Sequence, residues 1–499
     1  MINFNHTSKS YTDRTLRSDF HHTITSWSKI ALIWPNWCGK STMLACITGH
    51  DTVDEWSLTS RWLIAHIYQE IPDKYLNFTI EEYRYQHLPS HDDLYLWYIA
   101  MDDWWVQFDL SVQLKSLSWW QRKLIQLMTL SFKAYDIIIL DEPTNHLDMT
   151  IKIKLSDYLI STKSIVVCVT HDRWFINQRA TQVRAFDHGV IKTYPGNYDD
   201  YQLLLEQEHL SQQRAHESVA KELDRQAQVL AEFKRRSKIS SDPARGKMIR
   251  TRTKIIERMQ DRQQEQIIQD KQISLTAHSH TRTGKQLITI NNHDVTIAGR
   301  ILISNIRLTI HSGDKIALIW PNWCGKTTFI KDVIKKLSET VPLEKREWKG
   351  DQKWWSITYD LWLKRCYIDQ LNSQISWDMS VLDRYIAHCP GHMPDLIAIN
   401  QLLQAWFTHG QMKQSVSSSS YWQKLKLTIL TSIKSAIDLL ILDEPTNHLD
   451  IVTIQALERM ISEYPGAVLL ISHDPYFIEQ SGINTIYHIR DGKMTKEAL

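Results

Sequence analysis

One block of sequence occurs twice, and this duplication restricts the fold more than any other feature. Ala31–Thr42 reads ALIWPNWCGKST, and Ala317–Thr328 reads ALIWPNWCGKTT. Downstream of each copy stands ILDEPTNHLD, from Ile139 to Asp148 and from Ile441 to Asp450. A His-Asp pair follows in each, His171-Asp172 and His473-Asp474. The interval from Asp141 to His171 equals that from Asp443 to His473, so the copies run in step there. Such a repeat means two homologous domains, placed at 1–203 and 276–499 with a linker over 204–275. Apolar runs such as IALI, DIIIL and SIVVCVT alternate with amphipathic stretches. That pattern predicts an α/β fold of parallel strands joined by helices.

The first repeated block is the back half of a phosphate-binding loop. An apolar strand runs into Gly-Lys-Ser/Thr and then opens a helix, whose backbone N–H groups and dipole favour phosphate. Lys40 and Lys326 are expected to reach the β- and γ-phosphates, and Ser41 and Thr327 to hold Mg²⁺ through a hydroxyl. The loop residues Trp34, Asn36, Trp37, Gly39 and Thr42, with Trp320, Asn322, Trp323, Gly325 and Thr328, would line the phosphates. Asp141 and Asp443 end apolar strands and would support the same metal. Glu142 and Glu444 follow at once, where a carboxylate can orient or deprotonate the attacking water. An apolar run ending in Asp-Glu is a weak signal alone. Behind a Gly-Lys-Ser/Thr loop, and present twice, it is strong.

The front half of the loop departs from the pattern. G-x-x-x-x-G-K-[ST] calls for glycine where Trp34 and Trp320 stand, and relatives reading GPNGxGKST would also have it at Trp37 and Trp323. The chain holds 20 Trp against 15 Gly in 499 residues, where glycine alone usually runs near 7%. Such glycines allow φ > 0 and close backbone approach to phosphate. An indole on a loop wrapped round a triphosphate would fill phosphate space or force the loop open.

Between the domains the chain turns polar. Leu203–Arg236 lacks Gly and Pro and reads as a long helix. Asp242-Pro243 and Gly246 break it, and Lys247–Gln272 reads as a second helix, completing a helical hairpin. From Phe233 to Arg258 there are ten Lys/Arg and two Asp/Glu, in a chain whose net charge is only +2. A solvated helical face is the plain reading of such a run. At the tip of a projecting hairpin, however, a one-signed cluster suits a phosphate backbone. The six cysteines form no CxxC pair, which fits reduced thiols in a cytoplasmic protein. The N-terminus has no apolar leader segment, and no run of about 18 apolar residues suggests a membrane span.

Further motifs complete a resemblance. LSWWQRK (Leu117–Lys123) precedes Asp141, and SSYWQKLK precedes Asp443 at the same spacing. Gln69 and Gln370 close short apolar runs, and His171 and His473 end the strands after Asp141 and Asp443. With LSGGQ as the reference for LSWWQ, this set resembles the ATP-binding cassette ATPases across both domains. EPTNHLD in both copies, the charged linker and YPGNYDDY (Tyr194–Tyr201) resemble the ABC-F subfamily, twin-cassette proteins that act on the ribosome. The resemblance implies two P-loop cassettes joined by an α-helical hairpin, a monomer sandwiching two ATP–Mg²⁺. It implies that Ser118 and Ser420 reach the opposite site's γ-phosphate and that Gln69 and Gln370 sense Mg²⁺ and water. His171 and His473 join Glu142 and Glu444 as catalytic residues, Asp148 and Asp450 cross the interface, and Tyr11 stacks on adenine. Ile297 stands where the second copy would place that aromatic. The linker tip would contact rRNA or tRNA of the ribosome.

Two accounts of the tryptophans compete. A decayed pseudo-ATPase would show varied substitutions and losses at Lys, Asp, Glu and His as well. Yet Lys40, Lys326, Glu142, Glu444, His171 and His473 all stand. Positions 34, 37, 119, 120, 320, 323 and 422 carry a single replacement, Trp, and Trp27 faces Gly313 in the repeat. The other account is a codon read here as Trp that the organism reads as Gly. Tyr421 is not covered by it. Three functions are weighed: an ABC-F translation or antibiotic-protection factor, the ATPase subunit of a transporter, and a non-hydrolysing scaffold.

Overall fold

The computed structural model describes residues 2–4, 8–11, 14–17, 22–24, 28–34, 44, 62–88, 90, 93–145, 147–187, 190–237, 253, 284–297, 300–320, 325–338, 357–360, 363–369, 378–388, 393–405, 407–435, 437–447, 449–490 and 492–498. Chain contacts divide it into two units, Met1–Tyr198 with Leu275–Leu499, and Asp199–Ser274.

The first unit carries the repeat as two sheets of the same topology. In the first copy the strands are β1 (Ile2–Phe4), β2 (Ser8–Tyr11), β3 (Arg14–Arg17), β4 (His22–Ile24), β5 (Lys29–Ile33), β6 (Ile64–Ile67), β7 (Ile137–Asp141), β8 (Ile165–Val169), β9 (Gln182–Asp187) and β10 (Val190–Pro195). A six-stranded sheet runs β10-β9-β5-β8-β7-β6, parallel except for the edge strand β10. Two antiparallel pairs, β1 with β4 and β2 with β3, stand apart from it.

The second copy has β11 (Gln286–Ile297), β12 (Arg300–His311), β13 (Lys315–Ile319), β14 (Ile357–Tyr359), β15 (Arg365–Ile368), β16 (Leu439–Asp443), β17 (Ala467–Ile471), β18 (Thr485–Arg490) and β19 (Lys493–Ala498). Its main sheet runs β15-β16-β17-β13-β18-β19, again parallel except for the last strand. β11, β12 and β14 form a separate antiparallel sheet.

Two interior strands of each sheet, β7 and β8, β16 and β17, are buried at every residue. Such runs as Ile-Ile-Ile-Leu can sit only where both faces are covered. Helices Met149–Ser161 and Ile451–Ser462 supply part of that cover, through Leu155 and Leu159 in one and Leu457 and Ile461 in the other. Asp148 and Asp450 start those helices by accepting from Ile151 N (3.1 Å) and Thr453 N (2.9 Å).

A smaller helical layer lies between β6 and β7. Its helix Ile80–His87 begins with a capping box between Thr79 and Glu82. Helix Leu94–Asp103 ends with Trp104 buried and Trp105 in the left-handed region at φ 53°. Trp105 N donates to Asp102 O (3.0 Å) and Val106 N to Met101 O (2.9 Å). That bond pair is a Schellman C-terminus, whose left-handed position is normally glycine.

In the second unit the described part is chiefly helix Tyr198–Ser237, 40 residues long, which begins one residue before the unit does and spans about 60 Å at 1.5 Å per residue. Asp199 and Asp200 sit in its first turn, where the helix dipole favours negative charge. The basic stretch expected at a hairpin tip lies almost wholly outside the described residues. Among the described residues, no helix is long and apolar enough to cross a membrane.

The Schellman geometry gives a direct test. Trp105→Gly and Trp105→Ala remove the same indole and its stacking with Lys154 Nζ, 3.9 Å from the ring centroid. They differ only in a Cβ on a left-handed backbone. Trp105→Gly should therefore be about 1 kcal/mol more stable than Trp105→Ala, read as the difference in denaturant midpoint. Equal midpoints would contradict the assigned backbone.

Candidate functional site

The parallel strands deliver their charged residues to one edge of each sheet. β16 is apolar until Asp443, and Glu444 follows with φ 47°; β7 ends at Asp141, and Glu142 follows with φ 44°. Each glutamate N–H still donates to the neighbouring strand, to Ile471 O (2.9 Å) and Val169 O (2.8 Å). The backbone thus turns abruptly while paired, and a left-handed glutamate is a strained residue of the kind that collects at functional sites. Both glutamates are buried, as are Asp141 and Asp443.

In the second cassette the residues named from sequence meet. Lys326 opens helix Lys326–Ser338, and its Nζ donates to Glu444 Oε1 at 2.8 Å, with Asp443 Oδ1 at 3.7 Å. His473 Nε2 lies 3.4 Å from the same Glu444 oxygen. Burial opposes charge on every member. Against it, Asp443 and Glu444 hold the Lys326 ammonium above its ordinary range. Burial raises Asp443 to about 6 in spite of Lys326. Burial also works to raise Glu444, but Lys326 and His473 outweigh it and keep that carboxyl below its usual value. His473 is lowered, first by burial. Gly325 precedes the lysine at φ 79°, and a Cβ there would meet Leu302 Cδ1 at 2.8 Å.

The first cassette repeats the described half of this arrangement. His171 Nε2 is 3.4 Å from Glu142 Oε1, and its backbone N–H faces Glu142 Oε2 at 3.4 Å. Asn36, Trp37, Gly39, Lys40, Ser41, Thr42, Asn322, Trp323 and Gln370 lie outside the described residues, as do the side chains of Tyr11, Ile297 and Thr327. Gln69 sits half-buried just past β6.

Ser118 and Ser420 each start a helix, Trp119–Met128 and Tyr421–Lys434, through a capping box with Gln121 and Gln423. Their hydrogen bonds stay inside those boxes. The Ser-x-x-Gln spacing accounts for this, since it satisfies the first-turn N–H groups reciprocally. Trp119 is half exposed, with Arg122 over its ring at 5.6 Å.

Trp34 and Trp320 correct an expectation. Both indoles turn inward: Trp34 stacks on Phe186 at 4.4 Å, and Trp320 is fully buried with Phe329 at 5.3 Å. A large apolar ring beside a buried strand gains more by joining the core than by projecting over a polar loop. At these two positions the indole therefore belongs to the core.

Sequence reasoning passed over three groups near the sites. Lys123, two residues beyond Gln121, is buried, donates to Tyr68 O at 2.7 Å, and has its pKa driven to about 8 by burial although Asp141 and Glu142 pull it back up. Its counterpart is Leu425, so the repeat gave no warning. Tyr367 on β15 is raised by burial and then by Asp443. Lys152, one turn into the helix after Asp148, pairs with Asp172 at 2.6 Å and lies in the fields of Asp474 and Glu444.

The described donor set fits a nucleotide with a divalent cation. Asp443 Oδ1 is buried and, apart from the Lys326 ammonium 3.7 Å away, has no donor close to it among the described residues, an oxygen suited to a hard cation. Lys326 sits at the N-terminus of a helix, where phosphate is favoured.

Comparison with known proteins agrees. A family model described as "ABC transporter" matches residues 18–145 and 303–447. A second model with the same description matches residues 185–275. The chain is 27% identical over 541 residues to the ABC transporter F family member 2 of Arabidopsis thaliana, covering 97% of this chain and 76% of that protein. It is 28% identical over 364 residues to the ribosome protection protein VmlR of Bacillus subtilis, covering 69% of this chain and 63% of that protein. Among solved structures, the complex of archaeal ribosomal stalk protein aP1 with the ribosome recycling factor aABCE1 superposes with a TM-score of 0.66 at 13% identity. It covers 99% of this chain and 90% of that one.

The charge cluster makes a test. Lys326→Met leaves two buried carboxylates without their cation and should lower the stability of the nucleotide-free protein by about 3 kcal/mol. Adding Glu444→Gln removes one of the stranded charges and should restore most of it. Additive losses in the double variant, measured by denaturation, would show that Lys326 and Glu444 do not interact.

Proposed function

The chain belongs to the ATP-binding cassette family, in its twin-cassette F branch, and from that premise we propose that it hydrolyses ATP at both cassettes to act on the ribosome. The observation that carries the reading is the Lys326–Glu444–His473 cluster on a strained strand end, with Glu142–His171 as its double. Mg²⁺, when bound, neutralises charge on the phosphate oxygens. Asp443 and Thr327 would hold it in the second cassette, and Asp141 and Ser41 in the first.

The Lys326 ammonium, now on Glu444, is the group that meets the phosphates. Its departure frees the Glu444 carboxylate to accept a proton from water, with His473 holding that carboxylate in place. Glu142 and His171 serve in the same way, with Lys40 as the cation. Ser118 and Ser420, with the first-turn N–H groups of their helices, would close on the opposite phosphates. Gln69 and Gln370 would orient water. The ribosome as target is supported by the likeness to a ribosome protection protein and by the basic run in the linker. The tip of that linker would reach rRNA or tRNA.

The reading includes the identity of the tryptophans. We infer that Trp34, Trp37, Trp119, Trp120, Trp320, Trp323 and Trp422 are glycine in the natural protein, and that Trp27 and Trp105 join them. Two backbone observations support this. Trp105 holds a left-handed position at a helix C-terminus. Gly313, which faces Trp27 in the repeat, has φ 87°, a conformation side chains rarely adopt. The inward packing of Trp34 and Trp320 is neutral between the two identities.

Two experiments test the reading. The Glu142→Gln plus Glu444→Gln protein should bind ATP without turning it over and co-sediment with ribosomes when ATP is present. Turnover at the parent rate, or ribosome binding indifferent to ATP, would defeat it. Peptide mass spectrometry of the protein from its own source should find glycine at positions 34, 37, 105 and 320. Tryptophan there would leave a non-hydrolysing scaffold as the better reading.

A further inference from the structure

The histidine loops of the two cassettes meet through an arrangement that the repeat does not reproduce. Arg173, two residues beyond His171, is 2% exposed. Its guanidinium donates to Glu458 Oε1 and lies 3.7 Å from Asp474 Oδ2, both in the other cassette. Its Cζ stands 5.6 Å from the ring centroid of Tyr476. Glu458 sits on the helix that follows Asp450, and Asp474 directly follows His473. Lys152 pairs with Asp172 at 2.6 Å on the same patch and adds positive field at Asp474. Thus two carboxylates that follow the two histidines, and a third from the second cassette, share two cations, both from the first. The pseudo-equivalent positions hold Pro475 for Arg173, Ser156 for Glu458 and Ile454 for Lys152. The reciprocal bolt cannot form.

We propose that Arg173 is a positioning residue for hydrolysis at the second site, holding the His473 loop against Glu444 from the first cassette, with no reciprocal control. Unequal anchoring of the two loops supports the one-sidedness. Asp474 caps helix Pro475–Gln480 by accepting from Phe477 N at 3.1 Å, so a force on Asp474 moves the start of that helix and the histidine before it. A guanidinium with two buried carboxylates resists displacement, because separation leaves the carboxylates uncompensated. On the other side, Asp172 is also held by Lys152 of its own cassette. The His171 loop therefore has an anchor within its own cassette, and the isoleucine and proline at the reciprocal positions give the His473 loop none.

This inference rests on the ATPase reading above, and the test separates the two. Full-length protein with glycine at the positions named above is prepared with one live site: Glu142→Gln leaves the second and Glu444→Gln the first. Adding Arg173→Met should lower kcat at least ten-fold in the Glu142→Gln protein, with KM within two-fold. In the Glu444→Gln protein kcat should change less than two-fold. Arg173→Lys should recover at least a third of the lost rate, and Glu458→Gln should reproduce the selective loss.

Equal losses at both sites, or none, would overturn the proposal. Absence of turnover in both single-site parents would defeat the ATPase reading instead. The positioning role is then decided by amide hydrogen exchange. Arg173→Met should speed exchange at least five-fold in Pro475–Gln480 and leave Arg173–Arg179 within two-fold, whereas equal change in the two helices would overturn it.

Discussion

A buried charge at the end of a buried apolar strand is the constraint on which the rest depends. β7 and β16 can lie inside their sheets only if covered on both faces, and cover removes the water that would solvate Asp141, Glu142, Asp443 and Glu444. Those carboxylates must then find cations or donors inside the protein. Lys326 and His473 answer that need in the second cassette. The sheet order brings them to the same edge, because β13, which leads into the lysine helix, pairs with β17, which leads into the histidine. Topology and electrostatics thus support one another. The strand order that makes a continuous apolar core also gathers the charged ends.

Much of this was legible in the residues. Apolar runs of four leading into Asp-Glu predicted strands that end in carboxylates, and the duplication predicted two domains of one kind. The capping boxes at Ser118 and Ser420 follow from Ser-x-x-Gln spacing. Other features were not legible, for physical reasons. The left-handed backbone of Glu142 and Glu444 is imposed by the turn away from a paired strand, and glutamate carries no mark of it. Trp34 and Trp320 turned inward because apolar burial prevailed over the loop geometry expected round a phosphate. Lys123 and Arg173 escaped notice because comparison of the copies rewards sameness. Each of them matters where the copies differ.

The contact between cassettes shows what duplication permits. Two copies that began alike would meet through a symmetric patch. Here the symmetric elements remain, Asp172 and Asp474 each capping a short helix behind a histidine. The cations that hold them, Lys152 and Arg173, both belong to the first copy. Its histidine loop is secured from within, and that of the second depends on its neighbour. Asymmetry of this kind needs few substitutions, since a proline, a serine and an isoleucine in the reciprocal positions suffice to abolish the second bolt.

The left-handed glutamates carry a further implication. At such a backbone position Gly or Asn relieves steric strain, whereas a longer side chain sustains it. A duplicated domain freed from chemical duty would drift toward the relaxed residue, as any change there would make the fold easier to keep. In this chain the two copies have diverged at the residue beside each histidine loop and in the helix beyond each Asp-Glu pair. Both still hold the unrelaxed glutamate. The same strained position thus carries the same carboxylate in both copies, although the residues around it differ.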